Sequence, residues 1–399
     1  MAAKIKYILI FITAGFISIT SCNAQLQRPK LNFKHITTEQ GLSNSTIEAI
    51  YQDSKGFIWF GTRDGLNRYD GYQMEVYRYN AKDTNSISDN YIRFIYEDKS
   101  KTLWVATING LNQFNRAKNK FTRYKHDTGN PSSISNNFVT GIHEDLKGNF
   151  WVSTFGGLNL LNSNKKGFVQ FQHNPGKTNG VNVDQVNYIY ADKEENLWLG
   201  TEGGLNLFDP ETKKFTPFTI PGSTNNIRAN NVIKVIEDDR KGNLWLGTED
   251  NGLFLFNKDK KAFTRYTHIE KDSSSLASNL VRSILVDKKG NIWIGSVNGG
   301  LDLYNPNSNS FFHYQNEPEK IFSLSQRTVS ALFEDNQGNL WVGTHRGGIN
   351  LYTPQREKFL LYQQGPEENS LSYNDVKSFC EDSKGNMWIG TDGGGLNLF

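Results

Sequence analysis

Glu237-Asp238-Asp239-Arg240-Lys241-Gly242-Asn243-Leu244-Trp245-Leu246-Gly247-Thr248 reads as a strand end, a tight turn and a second strand. The stretch recurs eight times. Trp59, Trp104, Trp151, Trp198, Trp245, Trp293, Trp341 and Trp388 are all the tryptophans of the chain, and each holds the same place in a copy. Successive tryptophans lie 45, 47, 47, 47, 48, 48 and 47 residues apart. A fixed period of this length, with Gly and aromatic residues at fixed offsets, is the signature of a repeat architecture.

Each unit carries four strand signals. The first ends in an acid (Val232 to Glu237), the second carries the Trp, and the third follows a Gly turn (Gly204 to Phe208). The fourth is Phe-x-x-aromatic, as in Phe121-Thr122-Arg123-Tyr124. No stretch keeps a helical period, so helices should be nearly absent. Four short antiparallel strands have two faces to bury, and stacking neighbours buries them. Closing the stack into a ring removes its exposed ends. The expected fold is therefore an all-β propeller of four-stranded blades, with an open solenoid as the alternative.

The final unit stops at Phe399 without a fourth strand, while Phe33-Lys34-His35-Ile36 stands alone before the first unit. If that orphan completes the last unit, the ring has eight blades and no strand is left over. If it completes the unit ending near Tyr352, the ring has seven blades and a partial unit follows. Strand bookkeeping favours eight.

Composition fits this picture. Hydrophobic residues make up 37%, aromatics 13%, and there are 36 Gly, which suits short strands and many turns. A net charge of +3 from 44 basic and 41 acidic residues gives no electrostatic case for nucleic-acid binding. At the N-terminus Lys4 and Lys6 precede an apolar run from Tyr7 to Ile19. The run is too short to span a membrane comfortably and fits a secretory signal. The expected division is a signal peptide at 1–24, a linker at 25–32 and the propeller at 33–399. Ile19-Thr20-Ser21-Cys22 also fits a lipobox, which would leave Cys22 lipid-modified. The remaining Cys380 has no partner in a processed chain.

Asp53, Asp98, Asp145, Asp192, Asp239, Asp287, Asp335 and Asp382 each lie six residues before a Trp. In six units the pattern is Asp-x-x-Gly, the chemistry of a type I turn. Lys101 and Glu195 replace the Gly in the other two, where a looser turn or a strained left-handed residue is expected. These Asp are read as turn residues and the Trp as packing between blades. The small residue two places after each Trp should let a neighbouring strand approach. No metal, cofactor or nucleophile motif is recognisable.

Variation points elsewhere. The loop between strands two and three differs in every unit and, in propellers, shares a face with the loop between blades. It supplies Arg63, Asp64, Asn109, Phe155, Glu202, Glu249, Asp250, Asn298, His345, Arg346 and Asp392 as candidate ligand-binding residues.

The pattern Ile-x-Glu-Asp-x-x-Gly-Asn-Leu-Trp-Ile-Gly-Thr-x-x-Gly-Leu-Asn-x-Tyr resembles the two-component-regulator propeller repeat over residues 33–399, and Phe33 to Ser43 resembles the usual start of such regions. The resemblance implies a periplasmic sensor region of a hybrid histidine kinase, with a glycan fragment as ligand and homodimerisation as a route of signalling. Family members carry about 14 repeats in two seven-bladed rings, then a β-sandwich, a membrane helix and kinase modules. This chain has eight copies and none of the rest, so it is expected to be the N-terminal part of a sensor. Its own contact with a membrane would run through the signal, a lipid anchor or a downstream region. A secreted lyase-like enzyme, with convergent His and Glu at the ring centre, and a protein-interaction scaffold are the alternatives.

Overall fold

The computed structural model describes residues 28–163, 165–172, 185–221, 232–354, 362–365 and 370–399. The signal segment and Cys22 lie outside them. Seven four-stranded antiparallel sheets, the blades, each have strand order one-two-three-four from the inside outward. Blade 1 is Ile47–Gln52, Ile58–Thr62, Gly65–Tyr69 and Met74–Tyr77. The inner strands of blades 2 to 7 are Ile92–Glu97, Val139–Glu144, Val186–Ala191, Ile233–Asp238, Val281–Val286 and Val329–Glu334. Among the described residues the only helix is a 3-10 turn at Thr38–Gln40.

Strand pairing corrects the expected blade number. Phe33–Ile36 pairs with Ile349–Tyr352, from Phe33↔Tyr352 to Ile36↔Ile349, and so completes blade 7. The eighth unit is a separate three-stranded sheet of Val376–Glu381, Met387–Thr391 and Gly395–Leu398. The physical reason lies in the small residue after each Trp. A Cβ on Gly61 would meet Ile92 of the next blade at 2.7 Å, and one on Gly200, Gly247 or Gly295 would meet Ile233, Val281 or Val329 just as closely. Gly343 of blade 7 makes this contact with Ile47 of blade 1, at 2.7 Å. The ring is thus shut at seven, and Gly390 of the eighth unit meets only its own Ser378. Further bonds span the seam. Ser330 Oγ donates to the Ile47 carbonyl, Asn336 N–H donates to Gln52 Oε1 at 2.8 Å, and the Trp341 ring lies 5.6 Å from Phe60.

The tryptophans fill the space between blades. Trp59 is fully buried, stacked on Tyr77 of its own blade and edge-on to Phe114 of the next. The turn Asp anchors it: Asp53 Oδ1 accepts the Lys55 and Phe57 N–H groups, and Oδ2 accepts Trp59 Nε1 at 2.8 Å. The Asp–Trp bond recurs in every unit except the fifth. There Asp239 Oδ2 accepts Asn243 Nδ2, and buried Trp245 Nε1 has no hydrogen-bond partner among the described residues. In seven units a threonine three places after the Trp caps the next hairpin, as where Thr62 Oγ1 donates to the Gly65 carbonyl at 2.9 Å; the sixth unit has Ser296, whose buried Oγ has no hydrogen-bond partner among the described residues. Leu31, within the stretch read as a linker, is buried beside Phe33 and Trp293.

Candidate functional site

Every inner strand carries a register shift after its first residue. It falls at Ile47/Ala49, Ile92/Phe94, Val139/Gly141, Val186/Tyr188, Ile233/Val235, Val281/Ser283 and Val329/Ala331. The skipped residues are Glu48, Arg93, Thr140, Asn187, Lys234, Arg282 and Ser330. A bulge frees one residue from the ladder and re-aims its side chain. Here it sets seven residues of six types around one mouth of the ring, on the face that carries the loops between strands two and three.

Two charged clusters form on this mouth. In the first, Glu48 of blade 1 accepts Arg63 Nε at 2.8 Å, the Tyr91 hydroxyl at 3.0 Å and Arg93 Nη1 at 3.3 Å. Arg63 and Arg93 lie over the Tyr91 ring at 5.2 and 5.8 Å, and Arg93 also over Phe138 at 5.8 Å. Phe138 stacks on Phe155, with centroids 4.0 Å apart and planes 11° from parallel. Partial burial works to lower the Arg63 pKa, but the hydrogen bond and charge of Glu48, with a further contribution from Tyr91, together outweigh it and hold the guanidinium above its ordinary value. His345 lies close enough to feel Arg63 and Glu48; burial first, then Arg63 and Arg346, hold its pKa down. In the second cluster Glu249 takes Lys234 Nζ at 2.8 Å and Arg282 Nη2 at 3.0 Å.

Below the mouth, Phe94 and Tyr188 meet edge-on at 6.4 Å, across the position where blade 3 has Gly141. Burial raises the Tyr188 pKa. Lower still, Tyr51 lies between Tyr96, at 6.5 Å, and Phe333, at 6.2 Å, and Tyr96 lies 6.4 Å from His143. Burial holds His143 neutral to lower pH, and its buried Nε2 has no hydrogen-bond partner. Glu237 occupies the equivalent place in blade 5, where burial pushes its carboxyl up to about 8.

The loop residues singled out from the sequence divide into groups. Arg63, Phe155, Glu249 and His345 join the mouth. Asp64 instead ties down Arg78 and Asn90 of its own outer edge. Asn109 N–H is capped by Thr107, and its Nδ2 reaches the Ser88 carbonyl. Asn298 and Arg346 adopt left-handed backbone, and Asn298 exchanges hydrogen bonds with Thr328. Glu202 N–H bonds to the Gln185 carbonyl, and Asp250 is exposed. Asp392 belongs to the separate eighth unit, paired with Lys377, so the structure does not bring it to this mouth. Sequence reading missed Glu48, Tyr91, Arg93, Phe138, Lys234 and Arg282. Glu48, Arg93, Lys234 and Arg282 could have been found by the same test of variation, since the second place of the inner strand holds six residue types across the seven blades; Tyr91 and Phe138 lie just before their strands, outside that place.

The opposite face is built of clamps. Arg116 bridges Asp53 and Glu97 at 2.8 and 2.7 Å. At the equivalent place Lys258 bridges Asp192, Asp238 and Glu194 beside a groove of about 750 Å³. Among the described residues no group of three or more His, Cys, Asp or Glu is placed to hold a metal.

Comparison with known proteins places this architecture. Residues 41–64, 86–109, 226–250, 275–298, 323–346 and 370–393 match the two-component regulator propeller. Over 71 residues the chain is 42% identical to histidine kinase P4 of Formosa agariphila, which covers 18% of this chain and 5% of the kinase. An extracellular domain assigned to a hybrid two-component system of B. thetaiotaomicron superposes with a TM-score of 0.73 at 30% identity, over 93% of this chain and 48% of that domain. A virginiamycin B lyase variant of Staphylococcus aureus superposes at 0.59 with 14% identity, over 81% of this chain and 99% of the lyase, a likeness of fold alone. The chain spans about half the length of the sensor domain it matches. Six of its eight units carry the two-component regulator propeller repeat.

Proposed function

We propose that this chain is the exported ligand-sensing propeller of a two-component system and that it binds an oligosaccharide on the mouth formed by the bulge residues. The observation that carries the reading is the composition of that mouth. Half-buried aromatic rings (Tyr91, Phe138, Phe155) lie beside fixed guanidinium and carboxylate groups on a rigid ring. Sugar rings present just such alternating apolar faces and hydroxyl edges, and binding residues collect on variable loops of a constant scaffold.

The likeness to extracellular sensor domains supports export and a role without catalysis. Binding would shift a conformational or dimerisation equilibrium by the ligand's differential affinity for its two states. A kinase region outside this chain would receive the signal. The lyase reading asked for His and Glu converging at the centre; among the described residues the buried His143 Nε2 has no hydrogen-bond partner, and Glu195 and Asp145 act on the ring through charge alone.

Thermal denaturation of the full chain against a panel of oligosaccharides tests the proposal. At least one sugar should raise the midpoint, and Phe155→Ala should abolish that rise while leaving the unliganded midpoint close to the parent's. No stabilisation by any sugar would sink the reading.

A further inference from the structure

We infer that the mouth selects sugars bearing carboxylate groups, and that Arg63, Arg93, Lys234 and Arg282 are its specificity-determining residues. The inference rests on the reading of the mouth as the ligand site. Its basis is the stoichiometry of the two clusters. Glu48 is shared by Arg63 and Arg93, and Glu249 by Lys234 and Arg282. Each cluster therefore holds two cations to one carboxylate and keeps one positive charge.

The donors are not exhausted. Arg63 bonds Glu48 through Nε, and its side chain is 46% exposed. Arg93 uses Nη1, and its buried Nε is unpartnered. Both guanidinium groups are held over Tyr91, and Phe138 supports Arg93 from the next blade. A guanidinium fixed by aromatic rings offers a planar fork that matches a carboxylate in two parallel hydrogen bonds. Little side-chain entropy is then left to lose on binding. Phe155, stacked behind Phe138, gives the attached sugar ring a surface.

The second cluster repeats the excess charge across blades 5 and 6, since Lys234 and Glu249 belong to blade 5 and Arg282 to blade 6. One mouth thus presents two places for a carboxylate, which suits an oligomer of uronic acid units better than a single acid.

The experiment is calorimetric titration of the full chain with oligogalacturonate, oligomannuronate, methyl-esterified oligogalacturonate of equal length and a sulfated neutral galactan oligomer. We expect a uronate oligomer to bind, its affinity to fall with ionic strength, and esterification to weaken it about tenfold or more. Arg63→Gln and Arg282→Gln should each weaken the uronate about tenfold while sparing whatever binding the ester retains. Glu48→Gln removes a competing negative charge and should tighten the uronate a few-fold, though it loosens the loop; a purely structural Glu48 would instead weaken all sugars alike. Equal binding of acid and ester overturns the inference and leaves the sensor reading standing, as does preference for the sulfated oligomer. Binding of no saccharide overturns both.

Discussion

Lys101 and Glu195 stand where six other units place Gly, and both are left-handed, with φ of 65° and 64°. Of the two outcomes the sequence left open for such a turn, looser geometry or a left-handed residue, the chain takes the second at both places. Such a residue costs about 1 kcal/mol or more. Lys101→Gly should raise stability by about 0.5–1 kcal/mol in urea denaturation, the relief being partly offset by a freer unfolded chain. The stretch that reveals the fold also departs from it: only in the fifth unit does the Trp indole lack its aspartate. Its Glu237 is pushed by burial up to about 8, from 4.5. A carboxyl raised in the folded state stabilises fully below about pH 4.5, and that contribution is lost as pH rises through about 8. Glu237→Gln should remove the loss. Its thermal midpoint should exceed the parent's on the alkaline side of this window and converge with it on the acid side.

At the level of the strand, the latch is the element most exposed to test. Phe33 is buried, edge-on to Tyr352 at 6.4 Å, and its N–H bonds to the Phe322 carbonyl at 2.9 Å. Phe33→Ala should cost about 3–5 kcal/mol in chemical denaturation and expose the N-terminal segment to limited proteolysis. The strands themselves were legible, because alternation and turn residues are local properties. The bulges were not read, although they leave a trace: Ala49-Ile50, Phe94-Ile95, Val235-Ile236 and Ala331-Leu332 put two apolar residues side by side, breaking the two-residue period. Missing that slip hid Glu48 and Arg93, and with them half of the mouth. Arg63 and Phe155 were found because loops advertise variation, whereas Tyr91 and Phe138 sit at strand entrances, where an aromatic passes for core.

For the whole molecule, the repeat was plain in the sequence and the closure was not. Either seven or eight units satisfy the strand count. The choice is made by tertiary wedge packing, in which Gly343 meets Ile47 of blade 1 rather than Val376 of the eighth unit. The eighth unit stays outside, and its Leu396 is 65% exposed, whereas the equivalent Leu111 is fully buried. Phe379, Leu398 and Phe399 are likewise exposed. A chain shortened to end at Thr353 should keep the ring's thermal midpoint, because closure uses nothing beyond Tyr352. It should also scatter less light at high concentration, having lost an apolar open sheet.

The latch has a kinetic meaning as well. The first strand of the ring waits for the last hairpin before it can pair, so a chain that emerges N-terminus first must carry that strand unsatisfied until nearly all blades have formed. Ring closure is the contact of greatest sequence separation, and such contacts form late and slowly. The seam between blades 7 and 1 is therefore where folding finishes, and where a mature ring would first come undone.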